Sequence, residues 1–227
     1  MEPPREPAAG DDPERYCCFD EWAASNADRA RRRGFGSKIG RALVEALDST
    51  GELKDHTVLD LGCGTGDVAL ATLARGATAA TGIDLGSGAI GHANQLAKER
   101  HVEDRASFSV GDAARVPLGP HDVVVLNRVV CCYPEIDALL ANALPVARRV
   151  VALTMPPSTG FLGSVAKLEA SIANRWYRLR DRTFRGFRVY IHDVVQIDAR
   201  VRAAGFAPVL VGRRGFAWRL AVYERVG

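Results

Sequence analysis

Short apolar runs alternate with helical patterns through the middle of the chain. Most of these runs are rich in Val, Leu and Ala and lead into a polar residue, which is typical of buried parallel strands. Helical patterns at 68–75 and 136–143 lie between such runs, so we expect one parallel sheet with helices on both faces. The predicted strands are 58–59 ahead of Asp60, 79–83 ahead of Asp84, 107–110 ahead of Asp112, 122–126 ahead of Asn127, and 150–154.

The two ends of the chain depart from this alternation. Two helices, 19–33 and 37–47, precede the first strand and form a predicted cap at 16–50. Residues 158–192 form a predicted lid insertion that contains a helix at 161–177 and a basic linker. A helix at 194–203 and the strands 207–211 and 218–223 follow, and Arg213-Arg214-Gly215 between those strands indicates a hairpin.

The residues directly after the first predicted strand carry the strongest chemical signal. Residues 60–67 read DLGCGTGD and lead into the helix at 68–75. Glycine is needed where the backbone takes positive φ or where a ligand comes closer than a Cβ would allow. The dinucleotide fingerprint G-x-G-x-x-G places a small residue where Asp67 stands, and an acid there would repel a pyrophosphate. The loop instead suits a nucleotide cofactor with a cationic end.

The run D-x-G-x-G-x-G after a strand resembles motif I of the class I S-adenosylmethionine (SAM) dependent methyltransferases. The resemblance implies SAM as cofactor and S-adenosylhomocysteine (SAH) as product. In that family Asp60 reaches the methionine ammonium, Asp84 the ribose hydroxyls and Asp112 the adenine amino group, although the two later acids could instead cap helices. The implied cofactor residues are Asp60, Gly62, Cys63, Gly64, Gly66, Asp84, Leu85, Asp112, Ala113 and Asn127.

The predicted fold is therefore α/β, with a Rossmann-like, seven-stranded, mostly parallel sheet that contains one antiparallel strand. N-terminal cap helices precede it, and the lid insertion follows strand five. Residues 1–15 are rich in Pro and charged residues and are predicted to be a disordered tail. Residues 16–227 are predicted to form a single methyltransferase domain.

A narrower resemblance runs from about residue 16 to the end of the chain. The cap helices, the loop D-x-G-C-G-T-G, Tyr133-Pro134 after strand four, a proline-containing end of strand five and the run R-x-Y-x-H at 188–192 resemble magnesium-protoporphyrin IX O-methyltransferase. That family methylates a porphyrin propionate. It has a histidine before the Tyr-Pro pair, where this chain has Cys132. The acceptor therefore stays open between a porphyrin propionate and another small acid or phenol.

Candidate catalytic residues follow from the chemistry of methyl transfer. Displacement at a sulfonium depends more on alignment than on acid–base help, and a carboxylate acceptor is already ionised. A hydroxyl or amine acceptor needs a base, for which His192 is the leading candidate because histidine titrates near neutral pH. Tyr133 and Tyr190 are secondary candidates. His192 could instead contact the start of the helix that follows Asp193.

Contacts to the acceptor are predicted mainly from the cap and the lid. Arginine forks bind carboxylate or phosphate in a bidentate manner, so an arginine-rich lid favours an anionic acceptor, unless the lid is a solvated face. The aromatic residues of the cap either line the pocket or pack the cap on the sheet. The predicted substrate-binding residues are Tyr16, Trp22, Arg128, Cys132 and Arg188.

Composition limits the expected partners. The chain has 30 basic and 27 acidic residues, so its net charge of +3 provides no global field for nucleic acid or anionic membrane. It contains neither a bilayer-length apolar stretch nor a signal-like N-terminus, so we expect a cytoplasmic protein with no membrane span. A small molecule is the expected substrate and no nucleic-acid partner is expected. The oligomeric state is left open.

Cysteine usage favours a reducing compartment. There are five cysteines, and four of them form the adjacent pairs Cys17-Cys18 and Cys131-Cys132. Sequence neighbours rarely bridge each other because disulfide geometry strains the peptide between them. A zinc site would need both pairs to meet near His192, but the spacing is not C-x-x-C, so no metal is predicted.

Two rival functions stay open at this point. Amino-directed base methylases and the related glutamine methylases resemble one another in carrying N/D-P-P-Y/F after strand four, whereas residues 127–130 here read NRVV. This difference argues against an RNA, DNA or protein substrate of that kind. Cytosine-ring methylases use a cysteine near this position, where Cys131 and Cys132 stand. A regulatory module that binds SAM without turnover would retain the same glycine loop.

Overall fold

The computed structural model of the protein describes residues 17–180, 187–215 and 218–227, without the side chains of 17–22 and 180. The predicted tail at 1–15, the candidate Tyr16 and part of the predicted basic linker lie outside the described residues. The same holds for the side chain of Trp22. The described elements, in chain order, are α1 (Cys17–Arg33), α2 (Lys38–Ser49), β1 (Thr57–Leu61), α3 (Asp67–Leu73), β2 (Ala79–Asp84), α4 (Ser87–Glu99), β3 (Ala106–Val110), β4 (His121–Asn127), α5 (Ile136–Ala143), a 3-10 turn (Leu144–Val146), β5 (Ala147–Met155), α6 (Gly160–Arg180), α7 (Val194–Ala203), β6 (Phe206–Arg214) and β7 (Trp218–Arg225).

The seven strands form one sheet in the order β3-β2-β1-β4-β5-β7-β6. Strands β1 to β5 pair in parallel, and β7 is antiparallel to both of its neighbours. The chain order reverses between β1 and β4, which is where open α/β sheets bind ligands. The predicted seven-stranded sheet with a single antiparallel strand is confirmed.

Alternate residues of the central strands pack on opposite faces of the sheet, because successive Cβ atoms of a strand point to opposite sides. Val58 of β1 and Val123 of β4 belong to a core that α1 to α4 cover. Leu59 and Val124, their neighbours in sequence, belong to a second core under α5 and α7. Both faces of β1 and β4 are therefore buried, which explains their continuous apolar sequence.

The two N-terminal helices have different positions. Helix α1 lies against α4, where Arg31 Nε is 2.9 Å from Glu99 Oε2. Helix α2 begins after Ser37, whose hydroxyl accepts a hydrogen bond from the Gly40 N–H at 3.0 Å and so caps the helix. Leu43 and five other apolar residues of α2 are buried in the first core. Helix α2 is therefore part of the packed core on one face of the sheet.

No helix in the described part of the chain combines the length and apolar character needed to cross a bilayer. The longest helix is α6, which has 21 residues and mixed composition. It follows β5 directly and is joined to α7 by a segment of which residues 187–193 are described.

Candidate functional site

Three glycines after β1 turn the chain into α3, and all of them have positive φ, at 71° for Gly62, 53° for Gly64 and 73° for Gly66. A Cβ on Gly62 would lie 2.6 Å from the Val129 side chain, and one on Gly66 would lie 2.7 Å from Phe108. These two glycines are needed for packing. A Cβ on Gly64 would have no described atom within 4 Å. Gly64 therefore presents bare backbone to open space.

That open space is a cavity at the carboxyl ends of β1 to β4, with an empty volume of about 1530 Å³ that is partly open to solvent. It brings together most of the residues that the sequence predicts for cofactor and acceptor. Asp60, Gly66 and His192 do not line it. The predicted residues on its wall are Gly62, Cys63, Gly64, Asp84, Leu85, Asp112, Ala113, Asn127, Arg128, Cys132, Tyr133, Arg188 and Tyr190.

Asp84, at the end of β2, holds two turns of the site together. Its Oδ2 accepts a hydrogen bond from the Gly64 N–H at 2.8 Å, and its Oδ1 accepts one from the Gly86 N–H at 2.9 Å. The second bond fixes the residue that precedes α4. Asp84 thus supports both the glycine loop and the start of α4 while lining the cavity.

Asp60 lies beneath the glycine loop and is 1% exposed. None of the described residues donates a hydrogen bond to either carboxylate oxygen with good geometry, although the Ala69 N–H is near enough to oppose the pKa shift. Burial raises the pKa of the Asp60 carboxyl well above its ordinary value, and the negative charges of Asp67 and Asp84 add to the shift. A buried carboxylate of this kind is costly, and a cation nearby would relieve the cost.

Asp67, the first residue of α3, connects the glycine loop to the cap. Its Oδ2 accepts a hydrogen bond from the Gly36 N–H at 2.8 Å. Burial raises the pKa of the Asp67 carboxyl, and the Gly36 N–H opposes that shift. Gly36 and Ser37 line the cavity beside Asp67. These two residues were not predicted as site residues, although a Gly-x-Gly-Ser run before a helix indicates a turn and an N-cap.

Asp112 is engaged by a candidate catalytic residue. The Tyr133 hydroxyl donates to both carboxylate oxygens, at 2.8 Å to Oδ1 and 3.0 Å to Oδ2. Arg115 Nε lies 3.3 Å from Oδ2 on the other side. Burial, followed by the bond to Asp112, raises the pKa of Tyr133. The Tyr133 hydroxyl therefore stays protonated at neutral pH and orients Asp112. A hydroxyl engaged in this way is poorly placed to act as a base.

The turn after β4 is held from β5. Arg128 has a positive φ of 63°, an uncommon conformation for a residue with a side chain. Its N–H donates to Thr154 Oγ1 at 2.8 Å, and the Thr154 hydroxyl donates to Asn127 Oδ1 at 3.0 Å. Thr154 is fully buried. It is a positioning residue that strand periodicity alone could not single out.

The segment after α6 forms a further part of the wall. Val189 exchanges two hydrogen bonds with the Asn174 amide of α6, at 2.7 Å and 2.9 Å. The Tyr190 N–H donates to the Cys131 carbonyl at 2.8 Å. These bonds place Arg188 and Tyr190 on the cavity.

His192 lies behind that wall. Its Nε2 is 2.9 Å from the Tyr133 carbonyl oxygen, and its ring stacks on Tyr190 with centroids 5.8 Å apart. His192 was predicted as an alternative cap at the start of α7, but Asp193 takes that role. Its Oδ1 accepts a hydrogen bond from the Val195 N–H at 2.9 Å. His192 thus supports Tyr190 and the turn at Tyr133.

The cysteines near the site are free thiols. The Sγ atoms of Cys131 and Cys132 lie 3.5 Å apart, and Cys132 faces the cavity. Cys63 is buried in the glycine loop. In the described ranges, His, Cys, Asp and Glu side chains form no group of three arranged to hold a metal ion.

Comparison with known proteins agrees with this geometry. Residues 58–150 match the family model Methyltransf_25, described as a methyltransferase domain. This part of the chain resembles a methyltransferase domain. The matched residues run from β1 to the middle of β5 and include the glycine loop and the acids after β2 and β3.

Curated methyltransferases share sequence with part of the domain. The chain is 38% identical over 103 residues to ribosomal protein L11 methyltransferase from Bacteroides thetaiotaomicron, covering 45% of this chain and 36% of that protein. It is 44% identical over 98 residues to release factor glutamine methyltransferase from Rhodospirillum rubrum, covering 43% and 30%. The chain thus spans about a third of the length of these relatives.

A solved structure covers nearly the whole of this chain. Magnesium protoporphyrin IX methyltransferase from Synechocystis PCC 6803, crystallised with bound SAH, superposes with a TM-score of 0.69 at 24% identity. The match covers 92% of this chain and 98% of that one. The chain therefore shares the Rossmann-like fold of class I methyltransferases.

Proposed function

We propose that the protein is a cytoplasmic SAM-dependent methyltransferase that methylates a small, anionic organic acceptor, with oxygen as the favoured position. One observation carries the proposal. The lining of a single cavity combines acidic groups and bare glycine backbone with the arginines Arg128 and Arg188. The acidic groups match a cationic cofactor, and the arginines match an anionic acceptor.

The acidic groups and the glycine backbone of the cavity fit SAM. When bound, SAM supplies a methyl group on a positively charged sulfonium, next to an ammonium. Asp60 has buried carboxylate oxygens without good described donors, which a cationic group would compensate. Asp84 lines the cavity with a carboxylate that matches a ribose diol, and Asp112 is held in place by Tyr133 for the adenine amino group. Gly64 leaves the required space.

The two arginines of the cavity favour an acidic acceptor. Guanidinium groups bind carboxylates through charge-assisted, often bidentate hydrogen bonds. Arg128 and Arg188 can therefore orient such a group, while its ionised oxygen needs no base. The protonated Tyr133 hydroxyl and the position of His192 behind the wall support the same choice. A porphyrin propionate or another small acid falls within this class, whereas a phenol would first have to lose a proton.

Methylation of a protein is the second candidate. It is favoured by the names of the relatives, which act on ribosomal protein L11 and on release factors. The residues after β4 argue against it, because 127–130 read NRVV where the glutamine methylases carry N/D-P-P-Y/F. An assay of SAH release with magnesium protoporphyrin IX, simple carboxylic acids, phenols and the two proteins compares these acceptors. No release with any of them would favour a SAM-binding regulatory module.

Cofactor binding is tested at the glycine loop. Gly64→Val fills the open space and forces a branched side chain to positive φ, so we expect calorimetry to show loss of SAM binding. Gly51→Val is the matched control, because Gly51 also has positive φ, at 78°, and open space, but lies off the cavity. Equal SAM affinity in the Gly64 variant and the wild type would remove the basis of the proposal.

Acceptor binding is tested on the wall after α6. With an acceptor from the assay, Arg188→Ala should raise the KM about tenfold or more and leave SAM affinity unchanged. The exposed lid residue Arg175, which does not line the cavity, provides the control Arg175→Ala. His192→Ala should leave kcat nearly unchanged for a carboxylate, which needs no base. An unchanged KM in the Arg188 variant would assign acceptor binding to the cap instead.

A further inference from the structure

Helix α6 exposes a row of large apolar side chains. Phe161, Leu168, Ile172, Trp176 and Leu179 are each between 45% and 82% exposed. Their spacings of seven, four, four and three residues place them within roughly 80° of one another around a helix of 3.6 residues per turn. They form one continuous line, here called the α6 stripe. Soluble proteins scatter exposed apolar residues singly, so an aligned series indicates a contact surface.

The stripe is separate from the face by which α6 packs on the protein. That inner face contains Gly163 and Ala170, which are buried, and Tyr177, which meets Phe187 edge to face at 5.1 Å. A Cβ at Gly163 would collide with the Ser158 backbone. The small residues thus lie on the packed face of α6, and the large apolar residues of the stripe lie on its exposed face. The stripe does not belong to the cavity described above.

Positive charge lies along one side of the stripe. Lys167, Arg175 and Arg178 are exposed and fall on the same flank of the helix. The sequence of α6 contains four basic residues and the single acid Glu169. The surrounding charge therefore complements an anionic partner, although the whole chain has a net charge of only +3.

The size of the stripe distinguishes between occupants. From Phe161 to Leu179 it is about 27 Å long, and one helix is about 10 Å wide, so its area is roughly 270 Å². A stable interface between two protein copies needs roughly 800 Å² from each partner. A helix that lies in a bilayer interface needs only one such line, with Trp, Phe and Leu on the apolar side and Lys or Arg beside it.

We propose that α6 docks on the surface of an anionic membrane, with the stripe among the acyl chains and the basic flank against lipid phosphates. The contact is peripheral, because no described helix can span a bilayer. It goes beyond methyl transfer and requires neither cofactor nor acceptor. The partner is therefore a lipid surface rather than a second protein.

Vesicle sedimentation tests the proposal on the full chain. We expect binding to mixed phosphatidylcholine–phosphatidylglycerol vesicles, much weaker binding to phosphatidylcholine alone, and release at high salt. The double variant Leu168→Glu/Ile172→Glu should lower the partition coefficient about tenfold or more. A matched control is Val209→Glu/Val211→Glu, which places the same charges at exposed apolar positions on β6.

Two further measurements complete the test. Trp176 fluorescence should shift to the blue with mixed vesicles, and the shift should disappear in Trp176→Phe. The stripe variants should keep wild-type SAM affinity, which separates this proposal from the methyltransferase assignment. Equal binding to both kinds of vesicle, or no loss in the double variant, would overturn the proposal. Conversion of a dimer to a monomer by that variant without vesicle binding would assign the stripe to a second copy instead.

Discussion

At the scale of single residues, Asp60 shows how the site lowers the stability of the fold. Its buried carboxyl has a pKa raised above the ordinary value of 3.8. Between that value and the raised one, the folded protein keeps a proton that the unfolded chain has lost. The free energy of unfolding therefore decreases as the pH rises through this interval, and the full cost is present above it.

Asp60→Asn should remove that cost, because the amide has nearly the same shape and no charge. We expect the free energy of unfolding at neutral pH to rise by about 1 kcal/mol or more and its decrease with pH to become smaller. SAM affinity should fall about tenfold through loss of the carboxylate. Urea unfolding across a pH series and calorimetry measure both effects, with the exposed Asp104→Asn as control. An unaltered pH profile would show that the Asp60 carboxyl is not the titrating group.

At the scale of elements, β5 controls the turn after β4 through one side chain. Thr154→Val keeps the shape and burial but removes both hydrogen bonds that hold Asn127 and Arg128. We expect kcat to fall about tenfold or more because alignment at the cavity is lost, together with about 1–3 kcal/mol of stability. Thr154→Ser keeps the hydroxyl and should retain most of the activity. A wild-type kcat in the Val variant would show that the hydroxyl does not control the turn.

The same elements show what the sequence could predict. Helices α5 and α7 have their predicted bounds, and the acids after β2 and β3 lie on the cavity as predicted. Strand β5 begins at Ala147 rather than at 150, because Arg148 and the following arginine are exposed and hide the strand pattern. The pairing of Tyr133 with Asp112 was not predictable. It depends on which side chains meet across the sheet edge, and periodicity carries no such information.

At the scale of the whole molecule, the proposed cofactor half and the proposed acceptor half of the site come largely from different parts of the chain. The methyltransferase match ends at residue 150, within β5. Helix α6, the cavity wall at 187–190 and the C-terminal hairpin follow it. The cofactor half was predictable because its backbone geometry demands particular residue types at fixed positions. The proposed acceptor half combines Arg128, inside the matched range, with side chains of the insertion, which vary with function rather than with fold.

The two hydrogen bonds between Asn174 and Val189 join α6 to the cavity wall as a single mechanical unit. Arg188 and Tyr190 flank the bonded residue and follow its position. A mutation that changes the tilt or register of α6 therefore moves both residues without touching the cavity. Evolution could in this way retune acceptor preference from a remote helix surface while the glycine loop and its acids stay intact.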